Sequence, residues 1–246
     1  MAIREELELS GAWLFRWRSY LPLVMMAFVL MPMADYQYPW KSEALDIALE
    51  VFCFSVCFLG LGIRAYTIGY TPAGTSGRNT HKQKANTLNT TGIYSVVRHP
   101  LYLGNFFMGL GVVLFLHSWM LLVVYTLAYW IYYERIMAAE EAFLREKMGD
   151  EFDQWASRTP AFIPNFRHWT PPALPFSFRN VLRREYNGLL AVTLCLFLLE
   201  VLGDVVIYRR LYIETGWLII VGIAAAVWLV LRTLKRHTTV LNVAGR

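Results

Sequence analysis

The sequence predicts an all-α, polytopic membrane helix bundle of about six transmembrane helices, with both termini cytoplasmic. Three observations predict it. The composition is 57% hydrophobic and only 17% charged, with a mean hydropathy of +0.39, where a soluble domain holds about 45–50% apolar and about 25% charged residues. The apolar residues gather into six runs. The lysines and arginines are distributed unevenly between the segments that join those runs.

The runs come in order. Leu21–Met33 is short and holds Pro22 and Pro32, so it tilts or begins as early as Trp13. Leu45–Ala65 is a full span. Leu101–Leu116 and Trp119–Tyr133 are separated only by His117 and Ser118, which makes them a tight helical hairpin. Leu189–Tyr208 and Leu211–Leu231 form a second hairpin around Arg209 and Arg210. A span needs about 20 residues, so the shorter runs borrow flanking residues or tilt. The length suits one compact bundle, divided into N-terminal helices (1–70), a core with cytoplasmic loops (71–187) and a C-terminal hairpin (188–246). The polar, acid-rich start, Met1 to Ser10, is not a cleavable signal.

Taking the N-terminus as cytoplasmic, the inner segments hold 3, 5, 8 and 4 lysines and arginines, and the outer ones 1, 0 and 2. The positive-inside rule then fixes the orientation, and the expected home is the bacterial inner (cytoplasmic) membrane. This bias and contact with anionic lipid account for the net charge of +5, with no need for nucleic acid. Cys53, Cys57 and Cys195 lie inside apolar runs and read as packing residues, not as disulfides or a metal site. Gly60-Leu-Gly62 and Gly109-Leu-Gly111 read as close helix contacts. Glu200 and Asp204 lie four apart within a span. Intramembrane carboxylates are functional candidates, and these two either line an acceptor cavity or pair with Arg209 and Arg210, the pairing being preferred.

Two segments on the inner side are too long to be plain connections. Tyr70–Thr91 is rich in Gly, Thr and Asn and is basic around Arg78, Lys82 and Lys84; it is a loop. Glu134–Asn187 begins as a continuation of the preceding helix through Lys147, and its Pro- and aromatic-rich middle, Trp169 to Phe178, suits the headgroup level.

The chemistry centres on Gly92-Ile-Tyr-Ser-Val-Val-Arg-His-Pro-Leu-Tyr-Leu-Gly104. Pro100 suits the first turn of a helix. Arg98 and His99 therefore sit at the helix mouth, beside its positive end and its N–H groups, as an anion site or a basic interface anchor. Downstream, Glu140 has the apolar neighbours Ile136, Met137, Phe143 and Leu144 at helical spacing. A carboxylate on an apolar stripe needs a partner, either Arg98 or a cationic ligand carrying an ammonium or sulfonium group. Glu141 lies four residues before Arg145 and can form a surface pair with it. Glu134 shares the face of Glu141 and stands beside Arg135.

With the helical hairpin, Glu140-Glu141, Met148-Gly149-Asp-Glu-Phe152, Trp155 and Pro160-Ala-Phe-Ile-Pro164, this motif resembles the superfamily of isoprenylcysteine carboxyl methyltransferases and phospholipid N-methyltransferases over roughly Gly74 to Pro164. The resemblance implies an S-adenosyl-L-methionine site built from membrane helices. It implies cofactor contacts from Asn86, Thr87, Leu88 and Asn89, from Tyr94, from His99, Pro100, Leu101 and Tyr102, and from Glu140. In the carboxyl methyltransferases a substrate-binding arginine lies four residues before that glutamate; here the position is Ile136, with Arg135 next to it.

The expected function is methyl transfer to a membrane lipid or lipid-linked acceptor, an amine, phosphate or carboxylate, at the cytoplasmic interface. Positioning supplies much of the acceleration. An anionic acceptor needs no base and binds Arg98, or Arg78 and Lys82 of the loop. An amine acceptor needs a carboxylate such as Glu134 or Glu141 to take its proton. The basic loop leans the reading toward the anion. The catalytic candidates are thus Arg98, Glu141 and Glu134, with Arg78 and Arg135 for the substrate. The competing readings are an NADPH-dependent membrane reductase of sterol-reductase type and a non-enzymatic scaffold.

Overall fold

A computed structural model describes residues 3–17, 33, 36–37, 43–75 and 87–246. Seven α-helices occur among them: α1 (Ile3–Trp17), α2 (Glu43–Tyr70), α3 (Pro100–Leu114), α4 (Trp119–Met148), α5 (Asp150–Arg158), α6 (Phe178–Tyr208) and α7 (Thr215–His237). Short 3-10 turns lie at Ile93–Ser95 and Phe166–His168. Among the described residues there is no strand, only one isolated antiparallel bridge between Gly92 and Thr170.

The all-α expectation holds. Helices α2, α6 and α7 are long and apolar enough to cross a membrane, and α3 is apolar but shorter. The first apolar run lies outside the described residues except for Met33. Helix α4 runs unbroken for 30 residues from the apolar hairpin into the acidic segment, as expected of a helix that continues past Tyr133. Ser118 starts it by accepting a hydrogen bond from the Leu121 amide. Gly149 ends it with φ +55° and ψ −129°, a region open to glycine and strained for other residues, so the chain turns there into α5.

Packing follows the small residues. A Cβ on Gly60 would lie 2.4 Å from the Gly104 carbonyl oxygen, so α2 and α3 touch backbone to backbone. One apolar core gathers Cys53, Cys57, Val112, Phe115, Leu196 and Trp217 between α2, α3, α6 and α7. The cysteines are free. A second core lies under the motif, where Phe15 of α1 meets Tyr102 of α3 and Tyr129, Tyr133, Ile136 and Met137 of α4. Helix α1 docks along α4, with Gly11 directly against the Arg135 carbonyl.

One sequence expectation is corrected. Glu200 does not pair with Arg209 and Arg210, which are exposed. It lies with Asp46 and Glu50 of α2, the three carboxylates offering oxygens within 4.8 Å of one another. Arg209 instead ends α6 in the left-handed conformation, φ +55°, and is exposed.

Candidate active site

The motif segment is held on two sides. On one side, residues 159–170 run beside it and bond to its backbone. The Arg98 and His99 amides donate to Pro160 and Ala161 carbonyls at 2.9 and 3.1 Å. The Asn165 amide donates to Val96 O at 2.9 Å, and the Gly92 amide to Thr170 O at 2.9 Å. The Ser95 hydroxyl donates to Gly92 O at 2.7 Å and accepts from the Thr170 amide at 2.9 Å. The buried Trp155 of α5 donates from Nε1 to Tyr94 O at 2.9 Å. A segment whose regular structure is limited to the turn at Ile93–Ser95 thereby has these backbone groups paired.

On the other side stands the acidic pair of α4. Arg98 meets Glu141 as a two-pronged ion pair, Nε to Oε1 at 2.8 Å and Nη2 to Oε2 at 3.2 Å. The remaining guanidinium nitrogen, Nη1, donates to the Ala156 and Thr159 carbonyls at the end of α5. His99 caps the start of α3 and sits between both glutamates, Nε2 at 3.0 Å from Glu141 Oε1 and Nδ1 at 3.4 Å from Glu140 Oε2. Its ring stacks on Tyr102 at 5.6 Å between centroids. Tyr102 in turn contacts Tyr133, and its carbonyl accepts from the Tyr129 hydroxyl.

Burial works against a charge on His99, but hydrogen bonds to Glu140 and Glu141 prevail and raise its pKa above 6.5. Burial alone would raise Glu141; the bonds and charges of His99 and Arg98 overcome that and hold its pKa below 4.5. Glu141 is thus a fixed anion inside a cationic clamp. Glu140 is the more accessible of the two, its side chain 27% exposed against 18%. Burial, and then the charge of Glu140, push the Tyr94 phenol up.

The structure therefore brings Arg98, His99, Tyr94, Tyr102, Glu140 and Glu141 together. Pro100 is buried and Leu101 half-buried at the same helix mouth. Thr87 is exposed, while Leu88 and Asn89 are half-buried on the approach to Gly92. The Asn89 side chain accepts from the Thr91 amide and hydroxyl, both at 3.3 Å. Asn86 and Arg78 lie outside the described residues. Glu134 is exposed. Arg135 donates to Ile131 O of its own helix at 3.0 Å and not to Glu134. Arg145 bonds to Asp153 at 2.8 Å, so the surface pair between Glu141 and Arg145 does not form; Glu141 has turned inward to Arg98.

Sequence reasoning missed a neighbouring polar group, Arg64, Asn105, Tyr133 and Glu185. Their only signal was that polar residues interrupt otherwise apolar helices.

The carboxylate of Glu140, the half-buried phenol of Tyr94 and the polar edge at Asn89 suit a ligand that carries a cationic centre and hydroxyl groups. Residues 50–151 match the phospholipid methyltransferase family. The chain is 34% identical over 83 residues to a protein-S-isoprenylcysteine O-methyltransferase of Schizosaccharomyces pombe, covering 34% of this chain and 35% of that protein. It is 32% identical over 152 residues to the protein of the same name from Saccharomyces cerevisiae, covering 60% and 64%. It is 33% identical over 148 residues to a nickel-cobalt-cadmium resistance protein of Alcaligenes xylosoxydans, covering 60% and 62%. The chain thus spans between about a third and two thirds of the length of these relatives. No solved structure matches it significantly. Through residues 50–151, and with the motif and its paired glutamates in place, the chain is similar to the phospholipid methyltransferase family and to protein-S-isoprenylcysteine O-methyltransferases.

Proposed function

We propose that the protein is an S-adenosyl-L-methionine-dependent methyltransferase acting on an anionic oxygen of a lipid or lipid-linked acceptor. Its site faces the cytoplasm from the bacterial inner membrane, and about six helices span the bilayer. The observation that carries the reading is the cluster at the start of α3, in which His99 lies between Glu140 and Glu141 and Arg98 locks Glu141. The orientation rests on the bias of lysines and arginines.

When bound, S-adenosyl-L-methionine supplies a methyl group already activated on a sulfonium. Glu140, the accessible carboxylate, faces the cationic end of the ligand. His99, itself held by Glu141, fixes the orientation of Glu140. Tyr94, Tyr102 and residues 87–89 line the remaining contacts. The segment 159–170 covers the motif from the water side, and Arg98 ties that cover to α4. Held there by Glu140, Tyr94 and Tyr102, the sulfonium would supply its methyl group to the acceptor oxygen, the sulfur keeping the electron pair of the broken carbon–sulfur bond.

An oxygen anion suits this site better than an amine. No proton has to leave, so no base is required. Glu141 is ion-paired with a depressed pKa, and Glu134 is exposed; neither is poised to accept a proton.

The test is incubation of the purified protein with labelled S-adenosyl-L-methionine and total membrane lipid, with the labelled product identified by mass spectrometry. Calorimetry in detergent is expected to show heat with S-adenosylhomocysteine and none with NADPH. The reverse result would replace this reading with the reductase.

A further inference from the structure

One end of the segment that covers the motif reaches past the helix mouth. Phe162 marks how far. Its ring packs edge-on against Phe106 of α3, centroids 5.9 Å apart, and against Trp130 of α4 at 5.8 Å, with Tyr129 at 6.4 Å. Phe106 lies about 9 Å along α3 from Pro100 at the rise of an α-helix. On α4, Val123, Leu127, Trp130 and Ile131 form an exposed apolar stripe at helical spacing. The stripe ends at Glu134, which shares that face and is exposed. With α4 spanning the bilayer, its boundary with water falls between Ile131 and Glu134, and the Phe162 ring sits on the apolar side of it.

The residues beside Phe162 face outward. Ile163 is 75% exposed and Phe166 71%, next to the apolar stripe of α4. Arg167 and His168 complete the 3-10 turn that Phe166 starts. Both are exposed and enter no ion pair among the described residues. Trp169, 43% exposed, follows. The far end of the segment returns to the same level. Phe176 packs against Tyr70, the last residue of α2, at 5.2 Å, and against Phe178, the first of α6, at 4.8 Å. Both helices are long and apolar enough to cross a membrane.

Apolar side chains, a tryptophan and cations that alternate at a bilayer rim suit the headgroup layer. Irregular backbone is tolerated there only where protein satisfies its polar groups. That condition is met: Pro160 and Ala161 accept from the Arg98 and His99 amides, and the Asn165 amide donates to Val96 O.

We propose that residues 160–169 form an interfacial hook whose partner is anionic phospholipid of the cytoplasmic leaflet. Phe162, Ile163 and Phe166 enter the apolar layer, and Arg167 and His168 meet lipid phosphates. The hook carries upstream the headgroup level expected for Trp169 to Phe178. It rests on the α3–α4 hairpin spanning the bilayer with the motif on the cytoplasmic side, and not on methyl transfer itself. It also reaches the site. The hook's backbone holds Val96, Arg98 and His99, so lipid that seats the hook steadies the mouth of α3 and, with it, ligand affinity there.

The test uses the full chain in nanodiscs of phosphatidylcholine, alone or mixed with phosphatidylglycerol. An environment-sensitive fluorophore is attached at Ile163→Cys, at Phe166→Cys and, as a water-side control, at Glu151→Cys on α5. Wild type taken through the same labelling corrects for Cys53, Cys57 and Cys195. Doxyl-labelled lipid is expected to quench positions 163 and 166 while iodide spares them, with the reverse at 151. Iodide quenching at 163 and 166 equal to that at 151 would overturn the hook. Shielding from both quenchers would assign the patch to a second copy of the chain and overturn it as well. Calorimetry then reads S-adenosylhomocysteine affinity in the two lipids. The wild type is expected to bind about threefold or more tightly with phosphatidylglycerol present. R167Q/H168Q is expected to lose that gain while matching the wild type in phosphatidylcholine alone. No lipid effect in the wild type, or equal weakening of the variant in both lipids, would overturn the anionic partner. A wild type that binds no S-adenosylhomocysteine in either lipid would overturn the methyltransferase reading, and the quenching alone would then decide the hook.

Discussion

Arg98 and Glu141 meet fork to fork at 2.8 and 3.2 Å. The same guanidinium reaches the carbonyls of Ala156 and Thr159. One side chain thus joins the mouth of α3, the inner face of α4 and the end of α5. Arg98 is a brace, and its role in the proposed chemistry is to keep Glu141, and through it His99, in place.

The two glutamates should therefore separate in their effects. Glu141→Gln leaves the Arg98 fork against a neutral amide in a half-buried site and is expected to cost about 2–4 kcal/mol of stability, read as a lower denaturation midpoint in detergent. Glu140→Gln is expected to cost less than about 1 kcal/mol yet weaken S-adenosylhomocysteine binding by about tenfold or more. Equal loss of stability in the two variants would argue against distinct roles.

His99 makes the clamp pH-dependent. Its folded pKa lies above 6.5, so its contribution is complete below that value and is lost as pH rises through the folded pKa. The stability difference between the wild type and His99→Gln should shrink from about pH 6 to about pH 9. A difference that grows with pH would mean that His99 is neutral in the fold. Glu141 acts oppositely: its contribution stands above 4.5 and is lost as pH falls through its lower folded pKa. The charges that bear on the pair are Arg98, Glu140 and Glu141 themselves.

Helix α1 is held to α4 by a backbone contact that only glycine permits. A Cβ on Gly11 would lie 2.0 Å from the Arg135 carbonyl oxygen and 2.7 Å from its carbon. Gly11→Leu is expected to lift α1 off and cost about 1–3 kcal/mol, seen as faster proteolysis within residues 3–17. Because Phe15 packs on Tyr133 and Ile136 through the second core, cofactor affinity should fall as well.

Trp155 steadies Tyr94 through one hydrogen bond of 2.9 Å. Trp155→Phe keeps the buried ring but deletes the donor, at an expected cost of about 0.5–1.5 kcal/mol. Cofactor affinity is the readout that matters, since the global midpoint should move only slightly. Unaltered affinity would show that Tyr94 is placed by its other neighbours.

The sequence made the helices and the participants of the cluster legible, because hydropathy and proline position are local signals. Pro100 opens α3 with His99 as its cap, as its place beside Arg98 and His99 predicts. Local reasoning was weaker on which glutamate turns inward. The apolar neighbours of Glu140 suggested that it does, whereas Glu141 is the more enclosed, because the surface facing α4 there is the cationic end of the motif. Arg145 was the expected partner of Glu141 by spacing, and Asp153 takes it instead once Gly149 folds α5 back. The pairing of the motif with residues 159–170 left no trace in the sequence, since backbone hydrogen bonds in irregular loops carry no periodicity. The Arg64–Glu185 pair was invisible for a related reason: its members lie 121 residues apart, and each alone reads as a helix-end charge.

The bridge between Gly92 and Thr170 also sets an order of events during synthesis. The motif leaves the ribosome before the hairpin of α3 and α4 is made, and its backbone partners only after it. Until residues 159–170 emerge, the amides of Gly92, Arg98 and His99 lack the carbonyls they bond to, and Arg98 lacks the Thr159 carbonyl. The hairpin must therefore settle in the bilayer before the site closes around it. A nascent chain arrested short of α5 would carry the complete motif sequence and still present no formed pocket.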